Sequence, residues 1–391
     1  MMDNIIRKHK FIVFCEDHYN PLTLIRSLAL DGINPIIILV GDKSYLIPSS
    51  KYAKNITRFK SIEDGFDYIV KTFSNESLKP FLFSCSDNIE TLLDYNYELL
   101  KNCFYFFNGG EKGQIAKFMD KEVILHTAED CGIEIPKSER IPNGVLPTSI
   151  PYPIITKSIR STAGGWKNDV FVCRNEEELK NAYKNIKSNP VLIEEFIEKE
   201  NELCVDGISV NGGAEVYMPF KVNYLRFTNK AYGNYMQVAP FEDDELKYKI
   251  IQLFRKTGFS GIFSIEFLIT KGGGLKFLEI NFRHSTWTFS SRVGGADLPL
   301  IWANSCIKGH LDIKGINLKT EPFTAMAELA DFNDHVRHGD LSLVQWLKDF
   351  HNCPCTYIYH PKDKNPFFAT VLNSVKLLIK NKIVNNSNPE V

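Results

Sequence analysis

The first hundred residues alternate short apolar runs with helix-like segments, and this alternation limits the folds open to that part of the chain. The apolar runs FIVFC, PIIILVG and FLFSC occupy residues 11–15, 35–41 and 81–85. Between them, residues 21–32 and 62–73 repeat apolar side chains at helical spacing. Continuous apolar strands separated by helices are typical of a parallel sheet that is covered on both faces. The pattern therefore predicts a β-α-β unit of the α/β class.

The first predicted strand runs into the segment CEDHYNP, residues 15–21, which contains no glycine. A glycine-rich turn at this place is what lets a dinucleotide pyrophosphate approach the backbone closely. Its absence disfavours a dinucleotide-binding dehydrogenase. Ligand binding at the carboxyl ends of the strands remains the expectation for an open sheet of this kind.

The pattern of predicted strands and helices changes after the N-terminal β-α-β unit. Residues 112–131 predict a helix that ends at Gly132, and the strands beyond it lie closer together, many of them joined by glycine turns. Helices are predicted near 175–187 and 243–257. This second region has an α+β pattern, and we place the boundary between the two regions near 110–118.

Composition excludes several broad classes of protein. The chain has 46 Lys plus Arg against 47 Asp plus Glu, so no basic footprint for nucleic acid is evident. No apolar run reaches the roughly 20 residues of a membrane-spanning helix, and the N-terminal segment is predicted to be a strand rather than a signal peptide. The nine cysteines show neither a disulfide framework nor a paired zinc pattern. We therefore expect reduced cysteines and a cytoplasmic location.

A predicted hairpin, GIFSIEFLIT-KGGG-LKFLEINFR, carries acids at positions that face each other. If residues 271–274 form a four-residue loop, Thr270 pairs with Leu275, and Glu266 then lies opposite Glu279. Like charges opposite each other destabilise a strand pair unless a cation lies between them. This pairing therefore predicts a cation site.

Two further polar residues continue the same strand face. The Asn281 carbonyl adds a third hard oxygen ligand of the kind that Mg²⁺ prefers, and Arg283 is suited to bind a phosphate or carboxylate through two hydrogen bonds. From this stretch alone, a sheet face open to water explains the same residues about equally well. A shift of one residue in register would also separate Glu266 from Glu279.

A second candidate site lies in PYPIITKSIRSTAGGWKNDVFVC, residues 151–173, where two strand-like runs flank a loop of small residues. Backbone N–H groups of such a loop can approach phosphate oxygens, and Lys157 adds a positive charge beside them. An ordinary turn between strands is the simpler interpretation. Lys121 lies on a predicted helix and by itself reads as a solvated residue. The small and polar loop residues of interest are Ser161, Thr162, Gly164 and Gly165.

A third candidate site is the segment VLIEEFIEKENELCVDGISV, residues 191–210. An apolar run is interrupted at Glu194 and Glu195, and Glu202 precedes the next strand-like run. Such a link offers backbone groups to an adenine edge and carboxylates to ribose hydroxyls. A charged connector between two strands is the alternative.

Taken in order, these pieces resemble the ATP-grasp superfamily, since a helix lysine, a strand lysine, a small-residue loop, VLIEEFI, SIEF and LEINFR follow one another. The resemblance covers roughly residues 112–305. Within the superfamily, the chain looks most like carboxylate–amine ligases of the D-aspartate ligase and carbamoyl-phosphate-synthetase-like type. Three departures lie beside functional positions: Ser158 and Phe282 stand where prolines are common, and Glu200 competes with Glu202 as the ribose acid.

The resemblance implies an N-terminal pre-ATP-grasp β-α-β domain followed by an ATP-grasp fold with two subdomains. The implied boundaries are a pre-ATP-grasp domain at 1–111, a small subdomain with the phosphate loop at 112–188, a large subdomain with the metal site at 189–310, and a C-terminal extension at 311–391.

The resemblance also assigns roles to the candidate residues. It implies that Arg283 and Lys157 are catalytic and that Glu266, Glu279 and Asn281 hold two Mg²⁺ ions, with Mn²⁺ as an alternative metal. Arg226 is a weaker candidate for contact with phosphate or substrate. The residues implied to bind ATP are Lys121, Lys157, Ser161, Thr162, Gly164, Gly165, Glu194, Glu195, Phe196, Ile197, Glu202 and, as a weaker candidate, Lys221.

The function implied by the resemblance is ATP-dependent amide formation through an acyl phosphate. The expected partners are a small carboxylate and a small amine, with an amino acid or a carboxylated sugar among them, and a homo-oligomer stays open. Two alternatives remain: an ATP-binding regulatory protein, and an ATP-grasp enzyme with another acceptor. The basic segment PFFATVLNSVKLLIKNK predicts a helix that packs on its own domain or, less favoured, lies on a membrane or a lipid-linked glycan.

Overall fold

The computed structural model describes residues 5–160, 165–228 and 231–386. Within these residues the strands form three sheets, which follow one another along the chain. The predicted loop residues Ser161, Thr162 and Gly164 lie outside the described part.

The first sheet is parallel throughout and has the spatial order β3-β2-β1-β4-β5. Side chains of β1 alternate between its faces: Phe11 and Val13 share a core with α1, whereas Ile12 and Phe14 share one with α2 and α3. This confirms the predicted α/β unit. The elements of the sheet are β1 (Phe11–Glu16), α1 (Tyr19–Leu30), β2 (Ile36–Val40), β3 (Asn55–Phe59), α2 (Ile62–Phe73), β4 (Phe81–Ser84), α3 (Asp87–Tyr95), α4 (Tyr97–Leu100) and β5 (Tyr105–Phe106).

Between the first and second sheets, the structure differs from the predicted single helix over 112–131. Two helices occur there, α5 (Gln114–Phe118) and α6 (Lys121–Glu129). They are separated because the backbone of Asp120 is extended and its side chain caps α6. The Oδ1 atom of Asp120 accepts hydrogen bonds from the N–H groups of Glu122 and Val123. The cap makes Lys121 the first residue of α6.

The second sheet is antiparallel and has the order β6-β9-β7-β8. Residues of α7 pack against it in a separate small core, which includes Ile154, Leu179 and Ile193. The elements are β6 (Ser138–Ile141), β7 (Ile154–Ser158), β8 (Val172–Cys173), α7 (Glu176–Tyr183) and β9 (Val191–Glu195).

The third sheet has seven strands in the order β14-β13-β10-β11-β12-β15-β16 and is antiparallel except for its last pair. Its long strands carry much of the central core, together with α8 and α10. The elements are β10 (Lys199–Val210), β11 (Glu215–Thr228), β12 (Ala231–Pro240), α8 (Asp244–Thr257), β13 (Gly261–Thr270), β14 (Leu275–Asn281), α9 (Thr288–Val293), α10 (Leu298–Lys308), β15 (Phe323–Met326) and, from the C-terminal segment, β16 (Cys355–Thr356).

The hairpin of β13 and β14 reaches the predicted acid pairing by a different register. Residues 271–274 connect the two strands as predicted, but next to this turn Ile269 rather than Thr270 pairs with Leu275, so the predicted pairing of Thr270 with Leu275 is wrong. An irregularity between Glu266 and Phe267 then restores the count, because Leu278 is an extra residue on β14. Glu266 therefore does lie opposite Glu279.

The C-terminal segment joins the first and third sheets. Arg26 of α1 forms an ion pair with Asp363 at 2.9 Å, and both side chains are completely buried. The α-helices of this segment are α11 (Glu328–Asp331), α12 (Leu343–Asn352) and α13 (Asn365–Asn386). In the part of the chain that the structure describes, no helix is both long enough and apolar enough to cross a membrane.

Candidate active site

The register of the third sheet brings the predicted metal ligands onto one face. Glu266 pairs with Glu279 across the hairpin, and Ser264 pairs with Asn281 two residues further along. Directly opposed residues of antiparallel strands share a face, so both acids and the amide lie together. The Asn281 Nδ2 donates to Glu266 Oε1 at 3.4 Å. The three residues are therefore neighbours.

The neighbouring strand β10 adds two more acids to this face. Cys204 pairs with Glu266, so Glu202 and Asp206, two residues to either side of Cys204, share its face. Burial is the largest effect that raises the pKa of Glu266 well above its ordinary value, followed by the negative charge of Glu279. The charges of Glu202 and Asp206 raise this pKa further. The face therefore carries more negative charge than its protein neighbours compensate.

Arg283 lies at the end of the acid face and is held by three groups. Its Nη2 donates to Asn281 Oδ1 at 3.0 Å, and its Nε forms an ion pair with Asp87, the first residue of α3. Its Nη1 lies 3.5 Å from the carbonyl oxygen of His284. Although burial opposes it, the charges of Asp87 and Glu279 raise the pKa of Arg283. The guanidinium thus connects the first sheet to the acid face.

Two lysines from different elements approach the same face. Lys121 Nζ donates to the carbonyl oxygen of Ser158 at 3.2 Å, beside Lys157 on β7. Burial lowers the pKa of Lys121, and the positive charge of Lys157 adds to that effect, while the negative charge of Glu279 opposes it. A solvated Lys121 is therefore not what the structure shows. Two ammonium groups and the acid of β14 are close enough to influence one another.

The predicted hinge residues lie at the end of β9: Glu194 and Glu195 are its last two residues, and Phe196 and Ile197 follow it. The side chains of the two acids point in different directions. Glu194 is buried and its Oε2 lies 2.5 Å from Lys157 Nζ. Glu195 turns toward the sheet edge, where its Oε1 accepts the N–H of Lys137 at 3.0 Å. Phe196 and Ile197 are half-buried at the start of the link to β10. Only Glu194 of the two acids is placed beside the lysines.

The two candidate ribose acids also differ. Glu202 is 6% exposed, forms an ion pair with Lys199 and belongs to the acid face. Glu200 is exposed and falls at an irregularity of β10, where the register with β13 skips it. The structure therefore places Glu202, and not Glu200, with the other site residues.

The end of the small-residue loop is fixed by a buried acid. Asp169 Oδ2 accepts the N–H of Gly165 at 2.7 Å, and a Cβ built on Gly165 would lie 2.1 Å from Asp169 Oδ1. Although burial opposes it, the hydroxyl of Ser188 and three backbone N–H groups lower the pKa of Asp169. Only glycine fits this contact without movement of the loop end.

Two weaker candidates are not brought to the acid face. Lys221 pairs with Val205, whereas Val222 pairs with Cys204, so Lys221 lies on the opposite face from Glu266. Arg226 is held by two acids of the C-terminal segment, with Nη2 at 2.7 Å from Asp331 and Nη1 at 2.5 Å from Asp349.

The donor set of the acid face fits a divalent cation that shares its ligands with phosphate. Across the described ranges, no group of three or more His, Cys, Asp or Glu side chains is arranged to hold a metal ion. Glu266 and Glu279 instead offer two carboxylates and Asn281 an amide oxygen. Mg²⁺ in phosphate-handling sites is usually bound by one or two carboxylates plus substrate oxygens. A cation bound here would oppose the burial and the neighbouring negative charges that raise the pKa of Glu266.

Several residues near this face were not predicted from the sequence. Asp87, the ion-pair partner of Arg283, is one of them. Asp206 is buried, its Oδ1 accepts from Ser285 Oγ at 2.7 Å, and its Oδ2 has no hydrogen-bond partner. An acid inside the apolar run CVDGISV was the available signal for Asp206. Trp287 is buried and contacts Tyr357 edge-on, so it belongs to the core.

Comparison with known proteins gives matches of three kinds. The family model described as ATP-grasp domain matches residues 127–291. A carbamoyl phosphate synthase large chain from Clostridium botulinum is 24% identical over 274 residues, which is 66% of this chain and 23% of that protein. Biotin carboxylase 1 from Bacillus subtilis is 27% identical over 190 residues, 44% of this chain and 41% of that protein. The chain thus spans less than half the length of these curated relatives.

Solved structures share the fold at low sequence identity. An L-amino acid ligase from Bacillus licheniformis has a TM-score of 0.62 at 13% identity, covering 81% of this chain and 79% of that one. An N5-carboxyaminoimidazole synthetase from Staphylococcus aureus has a TM-score of 0.62 at 15% identity, covering 84% and 86%. The family model thus identifies an ATP-grasp domain over residues 127–291, and the solved structures show that the chain shares their fold.

Proposed function

We propose that this protein is an ATP-dependent carboxylate–amine ligase that forms an amide through an acyl phosphate and releases ADP and phosphate. One observation carries the proposal. The opposed acids Glu266 and Glu279, with Asn281 beside them, lie in one place with Lys121 and Arg283, inside an ATP-grasp domain. Hard oxygen ligands together with fixed cations are what a phosphoryl transfer to a carboxylate requires.

The geometry supports a separate binding role for each of these residues. Lys121 and Lys157 would bind ATP phosphates, since their side chains lie close together and Lys157 can exchange Glu194 for phosphate. Glu202 would bind the ribose. The hinge would bind the adenine, and Gly165 would anchor the phosphate loop through Asp169. The boundaries 1–111, 112–188, 189–310 and 311–391 are the domain division that we propose with this assignment.

The chemistry would run in two balanced steps. A substrate carboxylate oxygen attacks the γ-phosphorus, and the bond to the bridging oxygen of ADP breaks. The amine nitrogen then attacks the acyl carbon, phosphate leaves with the C–O bond electrons, and the nitrogen loses a proton. Mg²⁺ held by Glu266, Glu279 and Asn281 would neutralise phosphate charge as a Lewis acid. Arg283 would stabilise the charge of the acyl phosphate and of the tetrahedral adduct.

Two alternatives differ from this proposal in measurable ways. An ATP-binding regulatory protein would bind nucleotide without turnover, and retention of opposed acids has no evident purpose in such a protein. An ATP-grasp enzyme with another acceptor would release ADP with bicarbonate or another acid and without an amine. The relatives named as carbamoyl phosphate synthase and biotin carboxylase make this second alternative worth testing directly.

The test is Mg²⁺-dependent release of ADP by the full chain with a panel of amino acids, carboxylated sugars and bicarbonate, with and without added amines. Glu279→Ala is the inactive variant, and Glu245→Ala on the solvent side of α8, 80% exposed, is the matched control. We expect one carboxylate–amine pair to stimulate release in the wild type and in Glu245→Ala only.

Two results would contradict the proposal. Stimulation by bicarbonate alone would indicate carboxylation chemistry. Nucleotide binding of ordinary strength without turnover above the level of Glu279→Ala for any pair would favour the regulatory protein.

A further inference from the structure

The helix α13 packs on the protein mainly through its first turn. Pro366 is buried, and the half-buried ring of Phe367 packs against the central core and stacks on Phe350 of α12, with ring centroids 6.1 Å apart. From Phe368 to Lys376, the side chains of α13 are exposed or half-buried. Helices are stabilised mainly by packing of their apolar face, so most of this 22-residue helix remains available to a partner.

Three large apolar side chains form a stripe on this exposed part of α13. Phe368 is 55% exposed, Leu372 is 60% exposed and Val375 is 46% exposed. Their spacing of four and three residues puts them on one face of the helix. Single exposed apolar residues are ordinary on a protein surface, but neighbouring ones on one face mark an interaction surface.

The adjacent helix α12 also exposes apolar side chains. Leu343, Val344 and Leu347 are exposed, whereas Trp346 of the same helix is buried. One side of α12 therefore packs on the core and another side does not. With the stripe on α13, six large apolar side chains are exposed within residues 343–375, and no other segment of that length in the described ranges has as many.

Residues 343–386, which include both helices, are basic. They contain six lysines and no arginine, against two aspartates and no glutamate, while the whole chain has a net charge of −1. Both aspartates already form ion pairs within the protein, Asp349 with Arg226 and Asp363 with Arg26. The positive charge of this segment is therefore offered to the outside, on the exposed side chains of Lys348, Lys362, Lys364 and Lys376.

An apolar stripe on a helix that has lysines and no acids matches the surface of a bilayer that contains anionic lipid. Apolar side chains enter the boundary between headgroups and acyl chains, while lysines interact with the negative headgroups. A second copy of this chain matches the surface less well, because a symmetric interface would bring two sets of lysines together.

We propose that α13, together with the exposed side of α12, lies on the surface of an anionic lipid bilayer and attaches the protein to it. The helix would lie in the plane of the bilayer surface with Phe368, Leu372 and Val375 toward the acyl chains. This attachment does not depend on the proposed ligase reaction.

The attachment has two components that can be measured separately. The apolar component comes from removing side chains such as Leu372 from water, and loss of one leucine should weaken binding about tenfold. The electrostatic component comes from the lysines. Each lysine near an anionic surface should strengthen binding about fivefold, and added salt should screen this contribution.

The experiment is flotation of the full chain with lipid vesicles, which gives the bound fraction and an apparent Kd. Vesicles of phosphatidylcholine alone are compared with vesicles in which about one third of the lipid is phosphatidylserine. Both are used at salt concentrations of about 0.1 M and about 1 M.

Each component has a variant and a matched control. Leu372→Ser tests the apolar stripe, and Tyr248→Ser, at a side chain of α8 that is 63% exposed, is its control. Lys376→Gln tests the charge, and Lys71→Gln, at an exposed lysine of α2, is its control. Because all four side chains are exposed, urea unfolding curves should match that of the wild type, which checks that the variants are folded.

We expect the wild type to bind the phosphatidylserine vesicles and to lose most of that binding on phosphatidylcholine or at high salt. Leu372→Ser should bind about tenfold more weakly and Lys376→Gln about fivefold more weakly, whereas both controls should bind like the wild type.

Four results would overturn the inference: no binding of the wild type to phosphatidylserine vesicles, equal binding to both kinds of vesicle, wild-type binding by Leu372→Ser, or equal weakening in the controls. A wild-type dimer in analytical ultracentrifugation that Leu372→Ser dissociates, without vesicle binding, would instead make this surface an interface between copies of the chain. Vesicle binding is measured without substrates, so its outcome is separate from that of the ADP-release test.

Discussion

Two clusters of buried and half-buried charge in this molecule are built in opposite ways. The acid face, formed by Glu202, Asp206, Glu266 and Glu279, has more negative charge than its neighbours offset. The junction cluster consists of Arg26 and Asp363 with their partners. Arg26 donates to Asp363 Oδ2 and to the carbonyl oxygens of Tyr357, Ile358 and Asp363, while Ser50 Oγ and the Lys51 N–H also donate to the Asp363 carboxylate.

The two clusters differ in how completely their acids are paired, as expected if the junction cluster is structural and the acid face is the proposed binding site. In the junction cluster each carboxylate oxygen has a donor, so nothing further is needed from solvent or ligand. On the acid face, Asp206 Oδ2 has no partner and Glu266 has a strongly raised pKa. Uncompensated buried charge is retained at a cost in stability, and the cost is explained where a cation or ligand supplies the missing charge.

The largest effect expected from this comparison is on the junction cluster. Replacement of Arg26 by methionine should lower the free energy of unfolding by about 3–5 kcal/mol, because it leaves the carboxylate of Asp363 buried without its partner. Urea unfolding followed by circular dichroism measures this change. Lys10→Met, at an ion pair in which the lysine side chain is 44% exposed, is the control and should change the value by less than about 1 kcal/mol. Similar losses of unfolding free energy in both variants would show that the buried ion pair contributes no more to stability than the exposed one.

The second effect concerns pH and the acid face. Burial raises the pKa of Asp206 from 3.8 to about 7, so the folded protein binds its proton more tightly than the unfolded chain does. The stability that this group contributes is present below pH 3.8 and is lost as the pH rises through about 7. The loss should be on the order of 4 kcal/mol without Mg²⁺.

Asp206→Asn tests this directly, since an amide does not ionise. Urea unfolding at a series of pH values in metal-free buffer should show a flatter decline for the variant between about pH 4 and 7. Asp244→Asn, at a side chain that is 94% exposed, should retain the wild-type slope. Parallel curves for wild type and Asp206→Asn would contradict the assignment.

The acid face also shows what the sequence could and could not predict. Alternation along β13 and β14 is enough to place Glu266 opposite Glu279. The predicted partner of Leu275 is off by one residue, and the extra residue Leu278 on β14 compensates for that shift. A period of two specifies which residues share a face, but it does not specify where a bulge falls.

The contacts between sheets could not be predicted in this way. The partners Arg26 and Asp363 are separated by 337 positions, and Arg283 and Asp87 by 196. A local sequence pattern does not predict a contact between residues so far apart in the chain. Each of these charged residues would also be acceptable at an exposed position of its own helix or loop. The environment of Lys121 is not predictable from its own helix for the same reason. Lys157, whose charge acts on Lys121, lies on the second sheet, and only the folded structure brings the two lysines together.

The smallest effect expected is the most discriminating, because its sign differs between the two clusters. Glu266→Gln removes one of two directly opposed acids, so in metal-free buffer it should raise the free energy of unfolding by about 1 kcal/mol, whereas Asp363→Asn in the junction cluster should lower it. With saturating Mg²⁺ and ATP, the wild type should instead have a higher free energy of unfolding than Glu266→Gln. A ligand at a hundred times its Kd stabilises a protein by about 2.7 kcal/mol, and the variant should lose much of that gain. Thermal and urea unfolding with and without the nucleotide measure both parts. A destabilised apo variant that still gains the full nucleotide effect would mean that the acids of this face are structural, like those of the junction.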